Sequence, residues 1–247
     1  MMKFFKNTRQ RLLKDNKLGK YLSYAIGEII LVVIGILIAL QIDGWKEQQE
    51  VNQHEYNILQ NLHRDLSATK DELERDVKAN KASRSNLEIA LHHIDNNTVY
   101  TSAMDTLFPA IANWESPLPT FTTYEIFKME GIRIIKSKGI KNGVIKFHES
   151  TLGFIINDYD KAEWALFENV TMPFITENLS YSLHGETIGL KPNNYAELSK
   201  KPQFRNILTI SMAMRAKGLA FYDTSIHELN ELLQLIENEI EKNEYHE

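Results

Sequence analysis

Cysteine is absent from the 247-residue sequence, and glycine and proline are scarce, with 11 and 6 residues. Without cysteine the chain has no disulfide framework, no thiolate nucleophile and no cysteine-ligated zinc. The shortage of the two turn-forming residues argues against a loop-rich or all-β architecture. No strand pattern of useful length and no repeat at a fixed period is present in the sequence. We therefore expect an all-α fold.

Motifs of common enzyme classes are also missing. The sequence has no G-x-S-x-G elbow, no G-x-x-x-x-G-K-[ST] loop and no G-x-G-x-x-G turn. The pairs His54-Glu55 and His148-Glu149 match neither H-E-x-x-H nor a three-ligand zinc set, so we interpret the histidines as surface residues. The sequence predicts no catalytic residue, no metal site and no cofactor.

One long hydrophobic run is present, residues 21–42 (YLSYAIGEIILVVIGILIALQI), and Glu28 is its only acidic or basic residue. As a helix it covers about 30 Å, the thickness of a bilayer core, so we predict a single transmembrane helix. The alternative is a cleaved signal peptide, but the apolar region exceeds the roughly 7–15 residues typical of one. Gly44 follows the run and predicts a bend where the helix leaves the bilayer.

The charges are distributed unevenly around this run. Seven Lys or Arg residues lie in residues 1–20, and Lys46 is the only one in the dozen residues after the run. The positive-inside rule then puts a basic arm, residues 1–20, in the cytoplasm and residues 43–247 in the periplasm, with the run in a bacterial inner membrane. The arm either lies on the lipid headgroups or is a solvated tail. Because residues 43–247 are acidic overall, we expect no nucleic-acid partner.

Hydrophobic residues in 43–247 recur at helical spacing. Residues 45–95 predict either one long helix or two helices with a break near 80–83, and residues 137–179 predict a second long helix that Pro173 kinks or shortens. Pro202 suits the first turn of a last helix. Loops are expected at 98–122 and 181–200, and Gly131 is expected to close a short helix that begins at Thr123. The whole predicts an elongated antiparallel bundle of three to four long helices.

Two features of this bundle leave alternatives open. The leucine seam on the first helix could form a coiled coil with another chain or pack within its own bundle, and the matching seams of the later helices favour the second. The aromatic residues of the loop from Phe108 to Tyr124 could bind a ligand or a protein, although packing into the end of the bundle is the commoner use of such residues.

The sharpest candidate site lies in the predicted transmembrane helix. A carboxylate in hydrocarbon is costly, so Glu28 needs compensation. Small residues at a spacing of four can admit a close neighbouring helix beside it. The Glu28 site therefore comprises Ser23, Gly27, Glu28, Gly35 and Ala39. It could recognise a partner or couple to protons, or the carboxyl could sit protonated or bonded to a backbone carbonyl without a function.

The N-terminal sequence resembles a family of bacterial inner-membrane proteins described as a domain of unknown function. The resemblance lies in FFKNTRQRLL, in KYLSYAIGEIILVVIGILIALQI and in DGWKEQ, with a weaker likeness at TYEIFKMEGIRIIKSKGIKNGVI. It implies a membrane anchor and its topology, and no activity, cofactor or catalytic residue. The outline is also similar to the smaller subunits of proton-driven stator complexes, which however carry Asp in the span and mixed α/β domains.

These observations predict a membrane-anchored helical protein that acts by binding, as a scaffold, partner subunit or sensing domain. Its expected partners are the lipid bilayer and a transmembrane protein or a second copy; any small-molecule ligand is left open. The first alternative is an accessory subunit of an ion-driven inner-membrane machine with Glu28 as its intramembrane carboxylate. The second is a membrane-tethered enzyme whose site the sequence does not reveal.

Overall fold

The computed structural model describes residues 18–184 and 187–244, and nearly all of them are helical, which confirms the all-α prediction. The chain divides into two compact units, Met1–His54 and Glu55–Glu247, here called the N-terminal unit and the helical unit. Residues 1–17, most of the predicted basic arm, lie outside the described residues.

Helix α1 spans Leu18–Asp95 without interruption. It includes the whole of the predicted transmembrane run, residues 21–42, and continues through Gly44, where a bend was expected. Among the described residues it is the one helix long and apolar enough to cross a membrane, and no side chain of its most apolar stretch is buried. The alternative of a break near residues 80–83 is wrong, because both Asn80 and Ser83 lie within the helix and bond to another segment.

The second long helix is a nearly continuous run over residues 138–178 with three wide π-helical turns. Ser137 caps it by accepting a hydrogen bond from the Ile140 amide at 3.4 Å. The last π-turn directly precedes Pro173, where a wider turn relieves the clash of the proline ring with the preceding carbonyl. The run comprises α4 (Lys138–Lys146), α5 (Leu152–Phe154), α6 (Lys161–Leu166) and α7 (Met172–Asn178), separated by π-turns at Phe147–Thr151, Ile155–Asp160 and Phe167–Thr171.

Short elements connect α1 to this run. Two 3-10 turns, Ser102–Thr106 and Phe108–Ile111, are followed by α2 (Thr122–Ile126), a π-turn (Phe127–Gly131) and α3 (Ile132–Ile134). The sequence predicted that Gly131 ends the short helix. This prediction is wrong, because the chain continues through Gly131 from the π-turn directly into α3. Its φ of −62° is helical, and its missing side chain leaves room for the ring of Phe127, which a Cβ would meet at 2.7 Å.

Residues 179–192 form a β-hairpin where a loop was expected. Strands β1 (Leu179–His184) and β2 (Thr187–Pro192) pair antiparallel, with Tyr181 opposite Leu190. The alternating apolar residues on each strand share one face of the hairpin. That face is buried at its base and exposed further along, so the signal was present but only a few residues long. Helices α8 (Tyr195–Leu198) and α9 (Pro202–Glu244) follow, and α9 begins at the predicted proline.

Helix α9 runs antiparallel to both α1 and the 138–178 run within the helical unit. Helix α1 and the 138–178 run point in the same direction, because the connection over residues 96–137 brings the chain back before the run begins. Between α1 and α9 the contacts are Asp76–Tyr222 and Asp95–Arg205, so residue numbers rise on one helix as they fall on the other. The contacts Gly143–Leu232 and Tyr159–Gly218 show the same for the run and α9. Asn80 on α1 contacts Tyr159 on the run.

The helical unit contains two apolar cores. The leucine seam of α1 is fully buried in the first core, so it packs within its own chain as favoured from sequence. The first core includes Leu59, Leu62, Leu66, Leu73, Phe127, Val144, Tyr159, Tyr222, Leu229 and Ile236. The second includes Leu87, Ile94, Phe108, Ile111, Ile175, Leu190, Phe204 and Leu208.

The contact between Gly218 and Tyr159 gives a direct test of this packing. A Cβ at Gly218 would lie 2.5 Å from two atoms of the buried Tyr159 ring. We expect Gly218→Ala to lower the free energy of unfolding by about 2 kcal/mol, measured by urea denaturation in mild detergent. Gly153→Ala is the matched control, since its nearest neighbour would be 3.8 Å away and helix propensity favours alanine by up to about 1 kcal/mol. Equal effects of the two substitutions would contradict the packing.

Candidate functional site

The structure places all five residues of the Glu28 site on the exposed surface of α1, in the N-terminal unit. A Cβ built at Gly27 or at Gly35 would meet nothing within 4 Å, so the residues that the structure describes supply no neighbour at these two positions. Among the described residues no hydrogen bond or ion pair reaches the carboxyl of Glu28.

Helical geometry brings part of this site to one side of α1. At about 100° per residue, Gly35 and Ala39 lie within about 20° of Glu28 when viewed along the axis. Gly27 lies about 100° and Ser23 about 140° around the helix from it. Glu28, Gly35 and Ala39 therefore form one face, and the other two small residues belong to a neighbouring part of the surface.

A second arrangement, inside the helical unit, was not predicted from sequence. Residues 110–118, here called the strap, begin in the second 3-10 turn and continue as an irregular segment. Ala110 and Ile111 belong to the second apolar core, and Trp114 packs against the first. Polar side chains bind its backbone on several sides. Ser83 on α1 donates to the Asn113 carbonyl at 2.7 Å, and the amide of Leu118 donates to the Glu72 carboxylate at 2.9 Å.

Arg215 on α9 is the buried centre of this arrangement. Its side chain has no exposed surface, and it forms an ion pair with Glu163, of which 2% is exposed. The guanidinium also donates to the strap carbonyls of Asn113 at 2.8 Å and Ala110 at 3.3 Å. Burial raises the pKa of Glu163 while Arg215 opposes that rise. A buried charge is tolerated when several hydrogen bonds satisfy it, as they do here.

The peptide group of Glu115 is held by a side-chain amide. Asn80 donates to the Glu115 carbonyl at 2.9 Å and accepts from the Glu115 amide at 3.0 Å. The hydroxyl of Tyr222 also lies 3.0 Å from the same carbonyl and 3.0 Å from a carboxylate oxygen of Asp76. The strap is therefore fixed in the manner of a strand, with side chains in place of a partner strand.

Aromatic contacts complete the arrangement. The indole of Trp114 donates to Asp160 at 2.9 Å, and its ring packs edge-on against Trp164 at 5.1 Å between centroids. Phe108 is fully buried against Phe204. These aromatic residues of the predicted loop thus pack into the bundle, which was the favoured alternative.

Burial perturbs two titratable groups beside the strap. It raises the pKa of Asp76 to about 6, against the opposing hydrogen bond from Tyr222, and Glu72 and Glu115 raise it further. Burial likewise raises the pKa of Tyr222 far above its ordinary value. The Tyr222 hydroxyl therefore keeps its proton and acts as a donor at neutral pH.

The remaining histidines and acids of the described residues lie apart from the strap. Within residues 18–184 and 187–244, no group of three or more His, Asp or Glu side chains could hold a metal ion. His148 is not the surface residue expected from sequence, because its ring stacks on Tyr124 at 4.2 Å and its Nδ1 lies 2.9 Å from the Val144 carbonyl. Burial lowers the pKa of His148 and keeps it neutral.

An open apolar groove of about 770 Å³ lies between the end of the 138–178 run and the start of α9. Its apolar lining includes Val170, Phe174 and Ile210. The charged residues Glu177 and Arg205 also line it, and Arg205 pairs with Asp95 at 2.7 Å.

Sequence reasoning missed the polar residues of the strap arrangement because their types are normally exposed. On α9 the apolar side chains of Met214 and Phe221 are the ones that hydrophobicity alone would place in the core, whereas the adjacent Arg215 and Tyr222 are the fully buried residues. Helical spacing carried the signal, since 208, 211, 215, 218, 222 and 225 repeat at intervals of three and four. A polar residue at one of these regularly spaced positions can therefore indicate a buried hydrogen-bond network and not only an exposed helix face.

The bonds from Arg215 to the strap predict that removing both partners of the buried ion pair does not fully restore the stability lost by removing Arg215 alone. Arg215→Met should lower the free energy of unfolding by about 3–5 kcal/mol in urea denaturation, because Glu163 and the strap carbonyls lose their partner. The double variant Arg215→Met, Glu163→Met should recover only part of that loss, since the Asn113 carbonyl still lacks the guanidinium.

Lys217→Met is the matched control on the same helix. Lys217 forms an exposed ion pair with Asp158 at 2.8 Å, which we expect to contribute less than about 1 kcal/mol. Complete recovery in the double variant would show that Arg215 serves only to neutralise Glu163 and does not hold the strap.

Comparison with known proteins gives one match. Residues 28–114 match the model of a family of unknown function (DUF6090). Over these residues the chain is similar to that family, which supports the resemblance to a domain of unknown function. The matched range includes Glu28, Gly35 and Ala39 and the first half of the strap, but not Ser23 or Gly27. No curated protein and no solved structure matches the chain.

Proposed function

We propose that this protein is a single-pass membrane protein that acts by binding, as a scaffold, partner subunit or sensing domain. Residues 21–42 span a bacterial inner membrane, residues 1–20 lie in the cytoplasm, and residues 43–247, which include the helical unit, lie in the periplasm. The observation that carries the proposal is the exposure of the apolar stretch of α1, in which no side chain is buried by the parts of the chain that the structure describes.

An uncovered apolar helix of this length is unfavourable in water and favourable in hydrocarbon. Its backbone groups are satisfied within the helix, which is what a bilayer requires of a spanning segment. The helical unit, in contrast, buries its own cores. Membrane insertion is therefore the arrangement that leaves no large apolar surface of α1 in water.

Glu28 supports a partner within the membrane. A carboxylate near the bilayer centre costs about 2.5–3.5 kcal/mol, and less nearer the headgroups. A neighbouring helix with a hydrogen-bond donor offsets that cost, and Gly35 and Ala39 on the same face permit its close approach. The partner is a transmembrane protein or a second copy of this chain.

Replacement of Glu28 tests the partner. We expect Glu28→Ala to reduce by about fivefold or more the amount of partner recovered after crosslinking and gentle-detergent purification. This factor corresponds to a loss of about 1 kcal/mol in the free energy of helix association. Leu37→Ala, about 180° around the helix, should leave recovery unchanged. Unchanged recovery with both variants would contradict a role for the Glu28 site in binding.

Glu28→Gln separates binding from ion coupling. The amide keeps hydrogen bonding but cannot exchange a proton, so a structural lock should stay assembled in this variant. The second candidate function is an accessory subunit of an ion-driven machine, which the single acid of the span supports. If that candidate is right, the Glu28→Gln variant should assemble normally but lose its activity. Normal assembly and activity with Gln would exclude proton coupling through Glu28.

The absence of cysteine makes a homo-oligomer easy to detect. We expect Ala39→Cys, on the face of Glu28, to form a disulfide-linked dimer in oxidised membranes if the partner is a second copy, whereas Leu37→Cys should not. A dimer with both variants would indicate random collision. No dimer with either, together with a different protein recovered on purification, would identify a heteromeric partner.

A further inference from the structure

Three oxygen atoms meet where the strap crosses between α1 and α9. The Tyr222 hydroxyl is 3.0 Å from a carboxylate oxygen of Asp76 and 3.0 Å from the Glu115 carbonyl oxygen. Tyr222 is fully buried and Asp76 is half-buried. Water therefore has little access to the hydroxyl, and its hydrogen bonds are made within the protein.

The number of protons available to these oxygens depends on the charge of Asp76. When Asp76 is ionised, the single proton of the Tyr222 hydroxyl has two acceptors, and the carboxylate is the stronger one. The Glu115 carbonyl is then left with the Asn80 amide. When Asp76 is protonated, its own O–H can donate to the tyrosine oxygen, which frees the tyrosine proton for the Glu115 carbonyl.

We propose that Asp76, Tyr222 and the Glu115 carbonyl form a pH-sensitive latch that holds the strap more tightly when Asp76 is protonated. The latch joins three separate parts of the helical unit, namely α1, α9 and the strap. It is independent of the proposed membrane function, because every group involved lies within the helical unit.

Charged groups from each neighbouring element set the pH at which the latch acts. Glu72 and Arg75 face Asp76 from its own helix, Glu115 faces it from the strap, and Tyr222 faces it from α9. Tyr159, from the 138–178 run, faces Tyr222 in turn. Burial and the two glutamates outweigh Arg75 and the hydrogen bond, so the pKa of Asp76 rises to about 6.

The sign of the effect follows from this rise. The folded protein binds the Asp76 proton more tightly than the unfolded chain does, so burying the ionised carboxylate destabilises the fold at pH values above 6. The penalty is relieved as the pH falls from about 6 toward the unfolded pKa of about 3.9. Mild acid therefore tightens the strap.

Hydrogen exchange of the strap tests the latch on the full chain in detergent. After correction for intrinsic exchange, we expect the backbone amides of residues 112–116 and 118 to exchange about fivefold more slowly at pH 5 than at pH 7.5, as expected for one added hydrogen bond. Residues 138–147, which contain no Asp, Glu or His, serve as the internal reference. Equal strap protection at the two pH values in the unmodified protein would overturn the proposal.

Two variants and a control assign the effect to the latch. Asp76→Asn, whose amide donates like the protonated acid, should show the slow exchange at both pH values, and Tyr222→Phe should show the faster exchange at both. Asp71→Asn, an exposed acid on the same helix, should keep the pH dependence of the unmodified protein. Retained pH dependence in Asp76→Asn would show that another group titrates, which would overturn the proposal.

Discussion

The buried guanidinium of Arg215 is the contact on which the arrangement of the helical unit depends. It lies between two apolar cores and bonds to Glu163 on the 138–178 run and to two carbonyls of the strap. A charge without access to water requires all of these partners at once. Because the partners come from separate stretches of the chain, one side chain on α9 fixes the relative positions of the run, the strap and its own helix.

The polar groups also set the register in which the helices pack. Apolar contacts in the two cores are non-directional and tolerate small shifts. The bonds of Asn80 and Tyr222 to the Glu115 peptide tolerate little change of distance or angle. The strap thus supplies specificity that the cores do not, and the half-buried Asp76 beside it makes that specificity sensitive to pH.

Sequence patterns predicted the long helices because a repeated spacing of three and four over many residues leaves few alternatives. The start of α9 at Pro202 and the buried leucine seam of α1 followed in the same way. The hairpin at 179–192 was missed because its alternating pattern covers only a few residues on each strand. The strap arrangement could not be predicted, since Asn80, Glu163 and Arg215 are far apart in sequence and only the fold brings them together. For the Glu28 site, the helical geometry of α1 establishes which of the predicted residues share a face.

The apolar stretch of α1 is the feature that the helical unit does not explain, because nothing within residues 18–184 and 187–244 covers it. Our account assigns that cover to a membrane, with the two ends of the chain on opposite sides. The most direct test labels single-cysteine variants Lys6→Cys and Lys242→Cys in intact spheroplasts with a membrane-impermeant maleimide. The account predicts labelling of the cysteine at 242 before lysis and of the cysteine at 6 only after it. Equal labelling of both before lysis, or the reverse order, would contradict the proposed membrane topology.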